Sequence, residues 1–169
     1  MNMNDNESEK AYFAGGCFWG VEYWFGKLEG VLSVRSGYMG GTTEKPTYDK
    51  VSAGTTGHAE TIEVVFDPTR ISFRELAKRF FEIHDPTEVD RQGPDVGTQY
   101  RSAVFFVGDE QKRVTEELIG ILREQGFDVV TEIVPATVFY PAEDYHQDYY
   151  GKTGHIPYCH IPVGRFDTR

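Results

Sequence analysis

Of the two cysteines in the chain, Cys17 sits where a cysteine can attack. It lies in Gly15-Gly16-Cys17-Phe18-Trp19-Gly20, with glycines before it and two large aromatics behind it. Upstream, Lys10 to Ala14 reads as a short strand. Downstream, Phe18, Val21, Phe25 and Leu28 recur at helical spacing, so the glycine pair should turn the chain straight into a helix. Unsatisfied backbone N–H groups at a helix start favour negative charge, and so favour the thiolate, the attacking form of cysteine. The help is limited, because a helix end supplies roughly 0.3–1 kcal/mol and one pKa unit is worth about 1.36 kcal/mol. Another group in the site, or the substrate, must complete the activation. The competing reading makes Cys17 a small buried hydrophobe.

A second candidate comes from alternation. In Glu60-Thr61-Ile62-Glu63-Val64-Val65-Phe66 the apolar positions 62, 64 and 66 share one parity, so they should face the core while Thr61 and Glu63 face out. Glu60 has the inward parity. Burial there should raise its pKa and keep it protonated as a proton donor, unless it turns to water at the strand end. Tyr48 falls in a long glycine-rich loop, 37–57, and loops of that length are usually functional or disordered. With Tyr100 in another polar loop and Cys159 far along the chain, these residues suggest thiol redox chemistry.

The elements that must position them follow in order. A strand is expected over Val31 to Tyr38. Ser72-Phe73-Arg74-Glu75 has the capping-box pattern and starts a helix that should end near His84, before Asp85-Pro86. Glu88 to Gln99 reads as a polar loop, and Arg101 to Val107 as a central strand, apolar on both parities. Asp109 is a candidate cap for a helix running to about Gln125, with Gly126 as its stop. Asp128 to Val134 reads as a strand, Glu143 to Tyr150 as a short helix, and the rest as an irregular tail holding Cys159. Strands and helices in this order predict an α+β, two-layer sandwich with a ferredoxin-like core, a mixed or antiparallel sheet and a long irregular C-terminal tail.

The 169 residues suit one domain. With 17 basic against 27 acidic residues, a formal charge of −10, there is no basic stripe for nucleic acid. Residues 1–9 are polar and acidic and are expected to fray; they read as neither signal peptide nor membrane anchor, and no later stretch approaches a transmembrane length. The expected location is the cytoplasm, where two cysteines fit catalysis better than a structural disulfide.

The sequence resembles the A-type peptide methionine sulfoxide reductases in GGCFWG at 15–20, PTYDKVSAGTTGHAE at 46–60, GPDVGTQYRSA at 93–103 and EDYHQDYY at 143–150. The resemblance implies reduction of methionine S-sulfoxide, free or in proteins, as oxidative-damage repair by a single catalytic domain, 10–169. It implies thioredoxin as the usual reductant, and the protein is expected to be a monomer with no metal or organic cofactor, fed reducing equivalents by thioredoxin or another dithiol. Carried onto this chain, Cys17 is the nucleophile and Glu60 the acid. Tyr48 and Tyr100 hydrogen-bond the sulfoxide oxygen, Phe18 and Trp19 receive the S-methyl group, and Asp95 holds the polar side of the site. His146 would be a supporting hydrogen-bonding residue. Cys159 is the expected resolving thiol, giving a Cys17–Cys159 disulfide from a sulfenic acid, with His160 beside it to help deprotonate it. Its surroundings, Gly154-His155-Ile156-Pro157-Tyr158-Cys159-His160-Ile161-Pro162, depart from the glycine-rich tail common in the family, so Cys159 could instead be a packed structural thiol.

Other readings remain on the residues alone. His146, His155, Cys159 and His160 are potential zinc ligands, but their spacing matches no paired ligand pattern. A cysteine hydrolase would pair Cys17 with His58 or His146. A binding module would use Phe18, Trp19, Tyr48 and Tyr100 as an aromatic pocket with Cys17 merely buried.

Overall fold

The computed structural model describes residues 8–155, 157 and 160–166. Its frame is a mixed α/β arrangement. The strands are β1 (Glu9–Gly15), β2 (Val31–Met39), β3 (Ala59–Phe66), β4 (Arg91–Gln92), β5 (Asp95–Val96), β6 (Ser102–Phe106), β7 (Glu132–Pro135) and β8 (Tyr140–Pro141), and the helices are α1 (Phe18–Gly26), α2 (Tyr48–Ser52), α3 (Phe73–Ile83), α4 (Asp109–Glu124) and α5 (Tyr149–Thr153). Among the described residues six strands form one mixed sheet in the order β7-β6-β1-β3-β2-β8, and β4 and β5 form a separate hairpin. Only β6 and β7 run parallel in the large sheet; its other neighbours are antiparallel. No helix among the described residues is long and apolar enough to cross a membrane.

One face of the sheet meets the helices through aromatic packing. Phe13 of β1 lies 5.1 Å from Phe25 of α1 and 5.8 and 5.0 Å from Phe73 and Phe80 of α3, ring centre to ring centre. These rings dominate the main core, joined by Leu76, Leu118 and Leu122. Ser72 caps α3 as its sequence predicts, accepting a hydrogen bond from Glu75 N at 3.1 Å.

The opposite face is covered as well, which corrects the expectation for Thr61 and Glu63. Ala14, Met39, Ala59, Ala103 and Phe105 form a second cluster, overlaid by Phe139 and Ala136. Thr61 and Glu63 are therefore buried. Glu63 accepts hydrogen bonds from Tyr12 Oη at 2.8 Å and from Arg35 Nε and Nη2 at 3.0 and 2.7 Å. Alternation within β3 cannot anticipate a covering segment supplied from beyond β7.

Several boundaries also differ. Glu9 pairs with Phe66, so β1 starts inside the stretch expected to fray. The long loop contains α2, capped by Thr47, whose side chain accepts from Lys50 N. The polar loop 88–99 contains the β4–β5 hairpin. Gly108 occupies the cap position of α4, with φ at +82°, and Asp109 lies in the first turn without a side-chain cap bond. The strand expected from Asp128 begins only at Glu132. A 3₁₀ turn, Asp144–His146, and then α5 replace the single helix expected near 143–150.

Candidate active site

Cys17 is the cap residue of α1, half-buried, with no side-chain cap bond of its own. The glycines ahead of it are explained by what packs on them. Gly16 has φ +91°, and a Cβ there would lie 2.7 Å from Gln92 Cβ. Gln92 in turn grips the loop before it, with Oε1 accepting from Asp85 N at 2.7 Å and Nε2 donating to Asp85 O at 2.9 Å. The close approach of Gly16 and Gln92 thus draws the hairpin carrying Asp95 to the nucleophile's turn.

Glu60 comes to the same place through the sheet. In the antiparallel β1–β3 pair Phe13 lies opposite Ile62, so the Gly15 end of β1 lies beside the Glu60 end of β3. Phe18 N, in the first turn of α1, donates to Glu60 Oε1 at 3.2 Å. Glu60 is 2% exposed, and its Oε2 is buried with no hydrogen-bond partner among the described residues. Burial pushes its pKa up to about 8, against the hydrogen bond from Phe18 N and helped by the charge of Asp95. At neutral pH the carboxyl is therefore mainly an acid with a proton to give.

The two tyrosines close the polar side. Tyr48 opens α2, and Tyr100 ends a 3₁₀ turn, Thr98–Tyr100. Both phenol pKa values are raised, first by burial and then by nearby negative charge from Glu60, Asp95 and Cys17. For Tyr48 a hydrogen bond with Ser52 works the other way. These shared influences bring Cys17, Tyr48, Glu60, Asp95 and Tyr100 into one locus, with both phenols protonated and able to donate. Burial also raises the Asp95 carboxyl.

The apolar side is an aromatic cup. Phe18 packs on Tyr38, Tyr48 and His146 at 5.8, 6.5 and 5.4 Å between ring centres. Trp19 stacks on Tyr149 at 3.7 Å and 9°, and its Nε1–H donates to His146 Nδ1 at 3.0 Å. An indole nitrogen only donates, so His146 Nδ1 is an acceptor and the ring is neutral, as its burial also favours. His146 thus accepts a hydrogen bond from the indole of Trp19.

Sequence reasoning missed Glu143 as an organiser. Its carboxylate accepts from Tyr38 Oη at 3.0 Å, Tyr48 N at 3.2 Å and Tyr145 Oη at 3.3 Å. Its position in the EDYHQDYY motif was the available signal. His58 is committed elsewhere: Gly41 N donates to its Nδ1 at 2.9 Å, and Nε2 bonds Thr43 O at 2.7 Å. That removes it as a base for Cys17. His160 is buried with Nε2 on Gly15 O at 2.7 Å, whereas the sequence suggested a base beside Cys159. Cys159 lies outside the described residues. A cavity of about 380 Å³, lined by Glu22, Tyr23, Lys27 and Asp148, lies beside the C-terminal part of α1 and includes none of these site residues.

A half-buried thiol beside a protonated carboxyl and two phenols, with an aromatic cup next to them, defines a cysteine-dependent oxidoreductase site. The peptide methionine sulfoxide reductase family matches residues 9–169, and the chain belongs to it. It is 50% identical over 156 residues to the peptide methionine sulfoxide reductase MsrA of Sulfolobus acidocaldarius, covering 92% of this chain and 89% of that one. The reduced form of Mxr1 from Saccharomyces cerevisiae superposes with a TM-score of 0.87 at 34% identity, covering 95% of each chain. The same yeast protein solved in complex with Trx2 gives 0.63 at 24% identity, over 96% of this chain and 94% of that one, a likeness of fold. The activity is thiol-dependent reduction of methionine S-sulfoxide.

Proposed function

We propose that Cys17 attacks the sulfoxide sulfur while Glu60 protonates its oxygen. The S-methyl group sits against Phe18 and Trp19, and Tyr48 and Tyr100 donate hydrogen bonds to the oxygen, with Asp95 bounding the polar side. A sulfoxide sulfur is a poor electrophile until its oxygen is protonated or hydrogen-bonded, so acid and phenols supply what the step lacks. The Cys17 thiol proton restores the one that Glu60 gives up. The oxygen passes to Cys17, leaving methionine and a cysteine sulfenic acid. The observation that carries this reading is the buried Oε2 of Glu60, without a hydrogen-bond partner among the described residues, on an acid group with a pKa of about 8 whose other oxygen is held by Phe18 N in the nucleophile's own helix.

In the second half of the cycle Cys159 attacks the sulfenic sulfur, a Cys17–Cys159 disulfide forms, and thioredoxin or another dithiol reduces it. The yeast relative's complex with Trx2 supports that class of reductant. Chemistry that consumes dithiols suits the reducing cytoplasm. The substrates are free and protein-bound methionine sulfoxide, in keeping with oxidative-damage repair. The polar and apolar sides of the site both come from one chain, which supports a monomer, and the family match over 9–169 supports a single catalytic domain. A ferredoxin-like core within the sheet is supported by the antiparallel order β6-β1-β3-β2, with α1 following β1 and α3 following β3.

The test is single-turnover methionine formation across pH. Wild type should lose rate as pH rises through about 8, where Glu60 gives up its proton. Glu60→Gln should be slower by roughly 10²-fold and lack that limb, and Cys17→Ser should form no methionine. A Glu60→Gln variant with wild-type rate and profile would remove Glu60 from the acid's role.

A further inference from the structure

We propose that Gln147 is a positioning residue for the sulfoxide step: its side-chain amide stands in for a strand at the edge of β2 and closes the loop that carries Glu143 and His146, and so sets Tyr48 and Trp19. It rests on the reading of Tyr48 as a donor to the sulfoxide oxygen and of Trp19 as part of the methyl pocket. β8 is two residues long and pairs with β2 at Gly37 and Tyr38. After it Ala142 N donates to Ser36 O at 2.9 Å, and the backbone then turns away in the 3₁₀ turn Asp144–His146. Gln147 returns to the same serine with its side chain. Its Oε1 accepts from Ser36 N at 2.9 Å, and its Nε2 donates to Ser36 O at 2.8 Å and to Ala142 O at 3.0 Å. An amide that both accepts from and donates to one strand residue makes the pair of bonds that a facing strand residue would make.

Both ends of the segment 142–147 are thereby tied to Ser36, which is 0% exposed. The residue after it is tied as well. Ser36 Oγ donates to Glu22 Oε2 at 2.8 Å, and the other carboxylate oxygen of Glu22, in α1, accepts from Asp148 N. Between these ties lie the groups that hold the site. Glu143 accepts from Tyr48 N, and His146 accepts from Trp19 Nε1. Just past Gln147, Tyr149 stacks on Trp19. A loop with both ends fixed on one buried serine has little freedom to shift, and a misplacement of about 1 Å at a group that orients substrate can cost about 10²-fold. Gln147 acts on the reaction by holding that loop.

Steady-state kinetics with a blocked methionine sulfoxide, alkylation of Cys17 by iodoacetamide read by peptide mass spectrometry, and thermal melts separate positioning from packing. Gln147→Met keeps the length and much of the volume and removes the amide. Melts should show it folded at the assay temperature, and its kcat/KM should fall about 10-fold. Alkylation of Cys17 should stay within about 2-fold of wild type, since it follows the thiol's own ionisation and access. Gln147→Glu keeps an acceptor for Ser36 N but sets a carboxylate against two carbonyl oxygens, so it should lose at least as much. In a Glu143→Ala background Gln147→Met should cost less than in wild type, because both changes act on Tyr48. Wild-type kcat/KM in Gln147→Met would overturn the proposal, as would fully additive losses with Glu143→Ala or a change in Cys17 alkylation as large as that in kcat/KM. Loss of the fold in both Gln147 variants would mark a structural residue and overturn it too. Wild-type kcat/KM in Tyr48→Phe would instead remove the reading of Tyr48 on which the proposal rests.

Discussion

Glu60 binds a proton at pH 7 that a solvated glutamate would have released, and that has a consequence for stability. Its pKa rises from 4.5 to about 8 on folding, so between those values the native state holds a proton that the unfolded chain has lost. Stability then falls as pH rises from about 4.5 to about 8 and is affected no further above that. Glu60→Gln is neutral at every pH. The variant should therefore be more stable than wild type at pH 7, on the order of 2–3 kcal/mol, a gain of several degrees in Tm, with the gap closing toward pH 4. Thermal melts of both proteins at pH 4 and pH 7 check this, and a gap independent of pH would contradict it. Strand parity alone placed Glu60 inward. The same parity misplaced Glu63, because the charge of Glu63 is held by Arg35 and the phenol of Tyr12 under a segment no local pattern reveals.

At the scale of elements, short pieces do much of the positioning. α2 is five residues long, too short to hold itself, so Tyr48 depends on the Glu143 carboxylate that accepts from its backbone N–H. Burial alone would raise the Glu143 pKa, but hydrogen bonds from backbone N–H groups, Tyr38 and Tyr145 outweigh it and hold the carboxyl below its ordinary value. Glu143→Ala should leave the buried Tyr38 hydroxyl unpaired at a cost of about 1–3 kcal/mol. It should also lower kcat/KM on the order of 10-fold through a displaced Tyr48. Glu143→Gln, which keeps one carbonyl acceptor, should lose less on both counts. Steady-state kinetics with a blocked methionine sulfoxide and parallel melts measure this; wild-type kcat/KM in Glu143→Ala would show that Tyr48 needs no such pin. The elements with long periodic patterns, α1, α3 and α4, were legible in the sequence. Two-residue strands and single turns such as β4, β5 and Thr98–Tyr100 were not, since their bonds are set by close approaches such as Gly16 to Gln92.

In the whole molecule, the sheet brings the ends of β1 and β3 together, and segments distant in sequence complete the site around them. Cys17 and Glu60 stand out from local pattern, and the roles proposed for Tyr48, Tyr100, Asp95, Phe18 and Trp19 follow from the family resemblance. What could not be read was how the later chain folds back: Phe139 and Ala136 over the second face, Glu143 and His146 behind the aromatics, His160 beneath the glycine turn. Those contacts are long-range, and each depends on space left by a small residue or on a hydrogen bond with no local signature. The most direct test of the central claim is one turnover of the fully reduced protein with the S-sulfoxide of a blocked methionine and no added reductant, read by intact and peptide mass spectrometry. One equivalent of methionine is expected, with Cys17 oxidised and joined to Cys159. Folded, reduced protein that yields no methionine would contradict it.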